Sequence, residues 1–472
     1  MTPLKDLKAF APAPSPKSGE WFGHPKGLYV LFFTEMWERF SYYGMRALLI
    51  LYMTKVLIFQ ADHGAVVFGY APIRAGIQAF VHMMGMRGEI SVDTLASQIY
   101  GLYTAFVYLT PFFGGILADR VFGQRKSVYI GGVLMAIGHF LMALRSMFFP
   151  ALLFLILGNG CFKPNISTQV GLLYPEGDHR RDSAFTIFYM GINLGAFFSP
   201  LVCGTLGQTV GWDWGFGAAG VGMVAGLLIY HFGKRLLPPD QMMARQSADA
   251  PVEKVQTTSE EWKSIGALVF LCVINIVFWA VYEQQGNTLQ LWADQNTRWT
   301  FFGLTLPSTW YQAFNPLFIF AFAPVMDMFW GWQSKRGKEP SSVTKMGIGC
   351  VLLGLSMVIM IAASRLVAPD QKGSLLWLVS TTWLLTMGEL YLSPIGLSLV
   401  TKMSPPRMVS MMMGMWFLSS FFGNYLAGFI GGYYNVMTKE AFFTLLTALG
   451  IGSGLIFFAV NRPLSRGLGQ EY

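Results

Sequence analysis

The sequence predicts an all-α membrane protein in which twelve transmembrane helices form two six-helix bundles. Hydrophobic residues make up 53% of the 472-residue chain and charged residues only 12%, whereas a soluble domain carries about 25% charged residues. Apolar runs long enough to cross a bilayer recur from one end of the chain to the other. One long polar stretch, from Pro238 to Glu261, separates six of these runs from the other six.

The apolar runs define the predicted spans and domains. The spans are 28–54, 95–118, 126–146, 148–174, 182–206, 213–236, 264–286, 308–332, 343–366, 373–402, 408–434 and 439–461. The region from Ile58 to Asp93 is less apolar, and we expect a loop with a short interfacial helix there. The division that follows is an N-terminal bundle at 1–237, a cytoplasmic linker at 238–263 and a C-terminal bundle at 264–472.

The basic residues indicate orientation. Most of the 33 Lys and Arg residues lie in loops on the side of the N-terminus, which predicts that both termini are cytoplasmic. This spread over many loops argues against nucleic acid as a partner, despite the formal charge of +8. The polar segment Met1–Gly27 does not resemble a signal peptide. The four cysteines lie in apolar segments without CxxC spacing, which indicates neither a disulfide framework nor a metal site.

The first span contains the sequence EMWERFSYYGMR, from Glu35 to Arg46. Glu35, Arg39, Tyr42 and Arg46 fall on one helix face, and Glu38 lies beside it. Each charge costs roughly 2.5–3.5 kcal/mol at mid-membrane on insertion scales, so this polar stripe must face protein or water. A charge-neutralised packing helix is the simpler alternative. It does not explain a second Glu and a second Arg, and a polar pathway through the membrane is therefore favoured.

Three further ionisable residues lie in apolar segments: Lys163 in span four, Glu283 in span seven and Glu389 in span ten. Pro164, next to Lys163, is expected to disrupt its helix. The spans together hold four acids and three bases, so one carboxylate should readily bind a proton in this low-dielectric setting. Because the bases concentrate in the first half and two acids in the second, a zwitterion with separated ends would fit between the halves.

Uncharged polar residues are available around these charges. They are Tyr42, Tyr43, Tyr108, Asn193, Gln312 and Asn315. Trp279, Trp416 and Phe417 are candidates for apolar side-chain pockets, although packing is the simpler interpretation of any single aromatic residue. The sequence contains no Gly-rich phosphate loop and no grouping of nucleophile, base and oxyanion-stabilising residues. Neither ATP-driven transport nor an enzyme is indicated.

Several sequence motifs resemble those of the bacterial proton-dependent oligopeptide transporters, a family of the major facilitator superfamily. The motifs are EMWERFSYYGMR, GNGCFKPNISTQVG, FYMGINLGAFFSP, FWAVYEQQG, NPLFI and GELYLSPIGLS. They occur in the family's order and extend over nearly the whole chain. A weak internal repeat, GGILADRVFGQRK after span two and APVMDMFWGWQSKR after span eight, is typical of the same two-bundle architecture, in which the binding site lies at the midplane.

The resemblance implies inward symport of di- and tripeptides with protons, driven by the proton gradient without a cofactor. It implies a monomer in the inner membrane of a bacterium. Proton coupling would involve Glu35, Glu38, Arg39 and Glu283. The implied substrate-binding residues are Arg39, Tyr42, Tyr43, Arg46, Tyr108, Lys163, Asn193, Trp279, Glu283, Asn315, Glu389 and Trp416.

Within that implied site, Glu389 would receive the peptide amino terminus with help from Asn193 and Asn315, and Arg39 and Lys163 would hold the carboxylate. Two ion pairs would act as gates. The implied pairs are Arg46 with Glu283 on the outside and Lys163 with Glu389 on the cytoplasmic side.

Two alternatives remain open on the sequence: proton-driven import of another small zwitterion or anion, and a peptide sensor that transports nothing. The chain also departs from the family in two respects. It lacks the two extra helices that most bacterial members insert between the halves. It has Ala196 where the family usually has a serine, and it has Asn287-Thr288 where the family has a Ser-rich segment. These differences would change which peptide side chains are preferred rather than the class of substrate.

Overall fold

The computed structural model describes residues 19–85, 88–175, 177–239, 258–368, 371–404 and 408–467. Within these ranges the chain is almost entirely helical. The helices are α1 (Lys26–Tyr52), α2 (Ile58–Asp62), α3 (Tyr70–Met83), α4 (Val92–Leu117), α5 (Gln124–Met142), α6 (Phe148–Leu172), α7 (Arg180–Thr209), α8 (Trp212–Gly233), α9 (Ser259–Tyr282), α10 (Thr288–Gln295), α11 (Phe314–Ser334), α12 (Ser342–Leu366), α13 (Leu376–Met403), α14 (Val409–Gly431) and α15 (Lys439–Gly467). Two antiparallel hairpins pair β1 (Glu20–Trp21) with β2 (His24–Pro25) and β3 (Thr300–Phe301) with β4 (Leu304–Thr305).

A long helix occupies each of the twelve predicted spans, which confirms an all-helical membrane fold. Ten helices in the described ranges are long and apolar enough to cross a membrane. The other two at predicted spans, α5 and α14, have 19 and 23 residues and fall outside that set. The short helix α3 lies where a loop with a short helix was predicted.

The predicted linker at 238–263 is partly replaced by helix. Helix α9 begins at Ser259 because Thr258 and Glu261 form a capping box, in which each side chain bonds the other residue's backbone N–H. The helix thus begins five residues before the predicted span at 264–286. Residues 240–257 of the linker lie outside the described residues.

The long helices pack in two groups. Helices α1 and α4–α8 contact one another, and so do α9 and α11–α15. Across the boundary, α4 packs against α14 and α7 packs against α11. The space enclosed between these two crossings is where a site between the bundles must lie.

Helices α4 and α14 touch backbone to backbone. A Cβ atom built on Gly101 of α4 would lie 2.5 Å from the Cα atom of Gly428 in α14. Beside this contact, the Ser97 hydroxyl donates to Asn287 Oδ1 at 2.9 Å. The space between the two bundles is thus closed at one end, near the start of α4.

We expect Gly101→Ala to loosen this closed end, because the added methyl group cannot fit against the Gly428 backbone. Labelling of a Ser97→Cys variant by a membrane-impermeant maleimide should become faster in the Gly101→Ala background. Gly217→Ala is the matched control, since no atom lies within 4 Å of a Cβ at Gly217. Equal labelling rates with both alanines would contradict a closed contact at this position.

The expectation that Pro164 disrupts its helix was wrong. Helix α6 continues through Pro164 from Phe148 to Leu172. Proline removes only the hydrogen bond to the carbonyl four residues earlier, which belongs to Gly160. That carbonyl packs tightly against Gly114 of α4, so close that no Cβ would fit at Gly114. The freed carbonyl therefore serves helix packing and does not line a cavity.

Candidate functional site

A cavity of about 360 Å³ lies between the two groups of helices. This volume is within the range of small-molecule sites. Nine of the predicted site residues line it: Tyr43, Arg46, Tyr108, Lys163, Asn193, Trp279, Glu283, Asn315 and Glu389. Gln312 also lines it. The structure thus brings residues from seven long helices and from two short turns, Glu283–Gly286 and Ser308–Ala313, to one cavity.

Lys163 and Glu389 lie on the wall of this cavity from opposite bundles. The Lys163 Nζ atom stacks over the Tyr108 ring, 4.6 Å from its centroid. Glu389 Oε2 accepts a hydrogen bond from Asn315 Nδ2 at 2.9 Å. No ion pair joins Lys163 to Glu389 among the described residues. An acid and a base are therefore both available within one cavity.

The other expected pair, Arg46 with Glu283, is formed across the bundles. Both side chains are buried, and Arg46 Nε also donates to Tyr100 Oη at 2.6 Å. Further out, Lys55 Nζ lies 2.7 Å from Asp294 Oδ1. Together with the Gly101 contact, these pairs close the cavity at the end where α1 finishes.

Glu35, Glu38 and Arg39 lie off the cavity wall, buried in the first bundle. Arg39 Nε is 2.9 Å from Glu35 Oε1 and 2.5 Å from Glu38 Oε2. Neither contact is aligned as a hydrogen bond, and Arg39 Nη2 and Glu38 Oε1 have no hydrogen-bond partner among the described residues. The three residues are each at most 4% exposed. When all three are ionised, they carry one net negative charge.

Like Arg39, the candidate residues Tyr42, Trp416 and Phe417 do not line the cavity in this conformation. Arg39 is held by its two carboxylates, and its guanidinium lies over the Tyr42 ring at 5.6 Å. Trp416 is buried, and its ring packs against Gly396 of α13. Phe417, the adjacent pocket candidate, points outward and is 48% exposed. The sequence placed these residues on their helices, but it did not show which face of the helix each side chain occupies.

Several cavity residues were missed by the sequence analysis. They include Tyr189, Ile192, Tyr282, Gln285, Ile319 and Ser393. Helical spacing would have indicated two of them, because Tyr189 precedes Asn193 by four residues and Ser393 follows Glu389 by four. Ala196 also lines the cavity, whereas Asn287 belongs to the closed end.

A charged cavity between two helical bundles, closed at one end by ion pairs that cross the bundles, defines a membrane transporter of the two-bundle type. Comparison with known proteins agrees with that class. The model of the POT family matches residues 125–245 and 239–446. This chain belongs to the POT family.

Individual relatives match over nearly their whole length. A peptide transporter from Yersinia enterocolitica is 36% identical over 89% of this chain and 90% of its own. A di-/tripeptide transporter from Lactococcus lactis is 32% identical over 95% of this chain and 98% of its own. The crystal structure of a POT peptide transporter with sulfate superposes with a TM-score of 0.82, at 32% identity, over 96% of this chain and 98% of that chain.

Proposed function

We propose that this protein imports di- and tripeptides together with protons by alternating access. The observation that carries the proposal is the presence of Lys163 and Glu389, without an ion pair between them, in one cavity. A short peptide carries an amine at one end and a carboxylate at the other. The named activities of the Yersinia and Lactococcus relatives support peptides over other small zwitterions or anions.

The binding roles follow from the chemistry of the cavity wall. Glu389, with Asn315 bonded to it and Asn193 nearby on the wall, receives the peptide amine. Lys163 receives the carboxylate. Trp279 Nε1 has no hydrogen-bond partner among the described residues and is a donor for a peptide carbonyl. Tyr43, Tyr108 and the missed Tyr189 and Tyr282 surround the side chains of the peptide.

Proton coupling is assigned to the buried group of Glu35, Glu38 and Arg39, with Glu283 linking it to the outer gate. One of these carboxylates gains a proton when the transporter loads and loses it on the cytoplasmic side. The membrane potential supplies about 2.3 kcal/mol per charge per 100 mV, which exceeds the roughly 1.4 kcal/mol of a tenfold peptide gradient. No cofactor is required in this cycle.

Gating is assigned to two ion pairs that alternate. Arg46 and Glu283 are paired in this conformation and close one end of the cavity. When that pair opens, Lys163 and Glu389 pair and close the other end. Peptide binding competes with the Lys163–Glu389 pair, because both need the same two charged groups.

The proposed setting is the cytoplasmic membrane of a bacterium, with both termini in the cytoplasm. The positive-inside distribution of Lys and Arg supports this orientation. A single chain encloses the whole cavity, which supports a functional monomer.

Counterflow in liposomes tests transport itself. Vesicles loaded with unlabelled dipeptide should take up labelled dipeptide from outside when no pH gradient is imposed. A peptide sensor would bind the label but would not move it into the lumen. Saturable binding without counterflow would therefore contradict the proposal.

Glu389→Gln is expected to weaken recognition of the free amino terminus while leaving the protein folded. The amide keeps the size of the side chain and loses the charge that pairs with an amine. Competition between a dipeptide and its N-acetylated form measures the effect, and the preference for the free amine should fall by about tenfold for each 1.4 kcal/mol lost. An unchanged preference would show that Glu389 is not the amine site.

A further inference from the structure

An apolar groove of about 580 Å³ lies on the outer face of the first bundle, between α1, α7 and α8. Its walls include Met36 and Phe40 of α1, Phe198 and Val202 of α7, and Ala218 and Val221 of α8. Each of these residues is far from the ends of its helix, so the groove opens toward the hydrocarbon of the bilayer. A hydrocarbon chain is the only ligand chemistry that such a wall can recognise.

A cluster of basic residues lies at the ends of the same helices. Lys26 begins α1, and Lys234 and Arg235 follow the end of α8. The two ends are in contact, since Gly27 packs against the backbone of Leu236. None of the three cations has a carboxylate within ion-pair distance among the described residues. Three cations without a carboxylate partner among the described residues thus lie at the adjoining ends of α1 and α8.

The groove lies deeper in the membrane than these cations, by about the thickness of one leaflet. Met36 is ten residues after Lys26 in α1, which corresponds to about 15 Å along a helix. Half of a hydrocarbon core about 30 Å thick is the same distance. A lipid with its headgroup at Lys26 would therefore place the end of an acyl chain in the groove.

Aromatic residues at the tip of the first hairpin mark the level of the membrane surface. Trp21 and Phe22 are 54% and 94% exposed, and Phe22 has a left-handed φ of +46°. That conformation costs a non-glycine residue roughly 1–2 kcal/mol, which the hairpin accepts in order to present an apolar ring. Tyr29, one turn into α1, holds the hairpin through its hydroxyl, 3.1 Å from the Trp21 carbonyl oxygen. Aromatic side chains at this position are typical of the membrane interface.

We propose that an anionic phospholipid binds along α1, with its headgroup at Lys26, Lys234 and Arg235 and one acyl chain in the groove. Lys26 Nζ lies 5.5 Å from the centroid of the Trp21 ring. In the proposed complex, Trp21 therefore lies beside the headgroup. The acyl chain packs on the face of α1 opposite Glu35 and Arg39. Lipid bound there supports the helix that carries the buried charged group, and the site exists whether or not the protein transports peptides.

Native mass spectrometry of protein recovered from vesicles of phosphatidylcholine and phosphatidylglycerol tests the site. The wild type should retain phosphatidylglycerol in preference to phosphatidylcholine. Val202→Trp, which fills the groove from an exposed position, should lose the bound lipid. Leu228→Trp is the matched control, because Leu228 on α8 is at least as exposed as Val202 (51% against 42%) but does not line the groove.

A second variant distinguishes binding of the lipid headgroup from binding of the acyl chain. Replacing Lys26, Lys234 and Arg235 by glutamine should leave a bound lipid but remove the preference for phosphatidylglycerol. Retention of phosphatidylglycerol by Val202→Trp at the wild-type level would overturn the groove assignment. An unchanged preference in the glutamine variant would overturn the headgroup assignment. Neither readout uses transport, so failure of the transport proposal would leave these results interpretable.

Discussion

Arg39→Lys is expected to abolish uphill peptide accumulation while the protein remains inserted and monodisperse. The planar guanidinium of Arg39 contacts Glu35 and Glu38 at the same time. An ammonium group is a point charge and cannot reproduce a planar, two-sided contact. A loss of about 1.4 kcal/mol from this contact lowers a coupled equilibrium tenfold.

Accumulation of labelled dipeptide in proteoliposomes under an imposed pH gradient measures this effect. Arg336→Lys is the matched control, because Arg336 also stacks on an aromatic ring, Trp332 at 4.0 Å, but lies in a loop. The control should accumulate peptide as the wild type does. Wild-type accumulation by Arg39→Lys would reduce Arg39 to a structural counter-ion.

Glu38→Gln is expected to separate exchange from accumulation. Glu38 is fully buried beside Glu35 and Arg39, and two carboxylates therefore share one guanidinium. The amide resembles the protonated carboxyl group and cannot release a proton. Exchange of labelled for unlabelled peptide should persist, because it requires no net proton movement. Proton-driven accumulation should fall to the level of passive equilibration.

Both assays can use the same liposomes, with only the gradient changed. Glu20→Gln is the control, since Glu20 pairs with Arg180 at the surface, where an ion pair contributes only about 0–1 kcal/mol. Accumulation by Glu38→Gln at the wild-type level would exclude Glu38 from the proton cycle. Loss of exchange as well would point to a defect in folding or binding.

The sequence predicted the fold because membrane spans leave a strong signal. Helices of bilayer length must be predominantly apolar, so the positions of the spans and of their few charges could be predicted directly. The same rarity made Lys163, Glu283 and Glu389 conspicuous, and all three line the cavity. Charged residues within spans face protein or water, which is why residues far apart in sequence converge.

The depth and orientation of individual side chains could not be predicted in the same way. Arg39 and Tyr42 share a helix face with Arg46, yet only Arg46 lies on the cavity wall, because Glu35 and Glu38 hold Arg39 inside the first bundle. Trp416 is buried against Gly396 for a similar reason of local packing. Whether an ion pair forms across the bundles depends on how the two bundles dock, and sequence patterns within one helix do not contain that information.

Peptide uptake under an imposed pH gradient tests the central claim most directly. Proteoliposomes with an acidic exterior should accumulate a labelled dipeptide above its external concentration, and a protonophore should abolish the accumulation without stopping counterflow. A panel of di- and tripeptides should compete, and N-acetylated dipeptides should compete poorly. Uptake that stops at equal concentrations regardless of the pH gradient would contradict proton-coupled import.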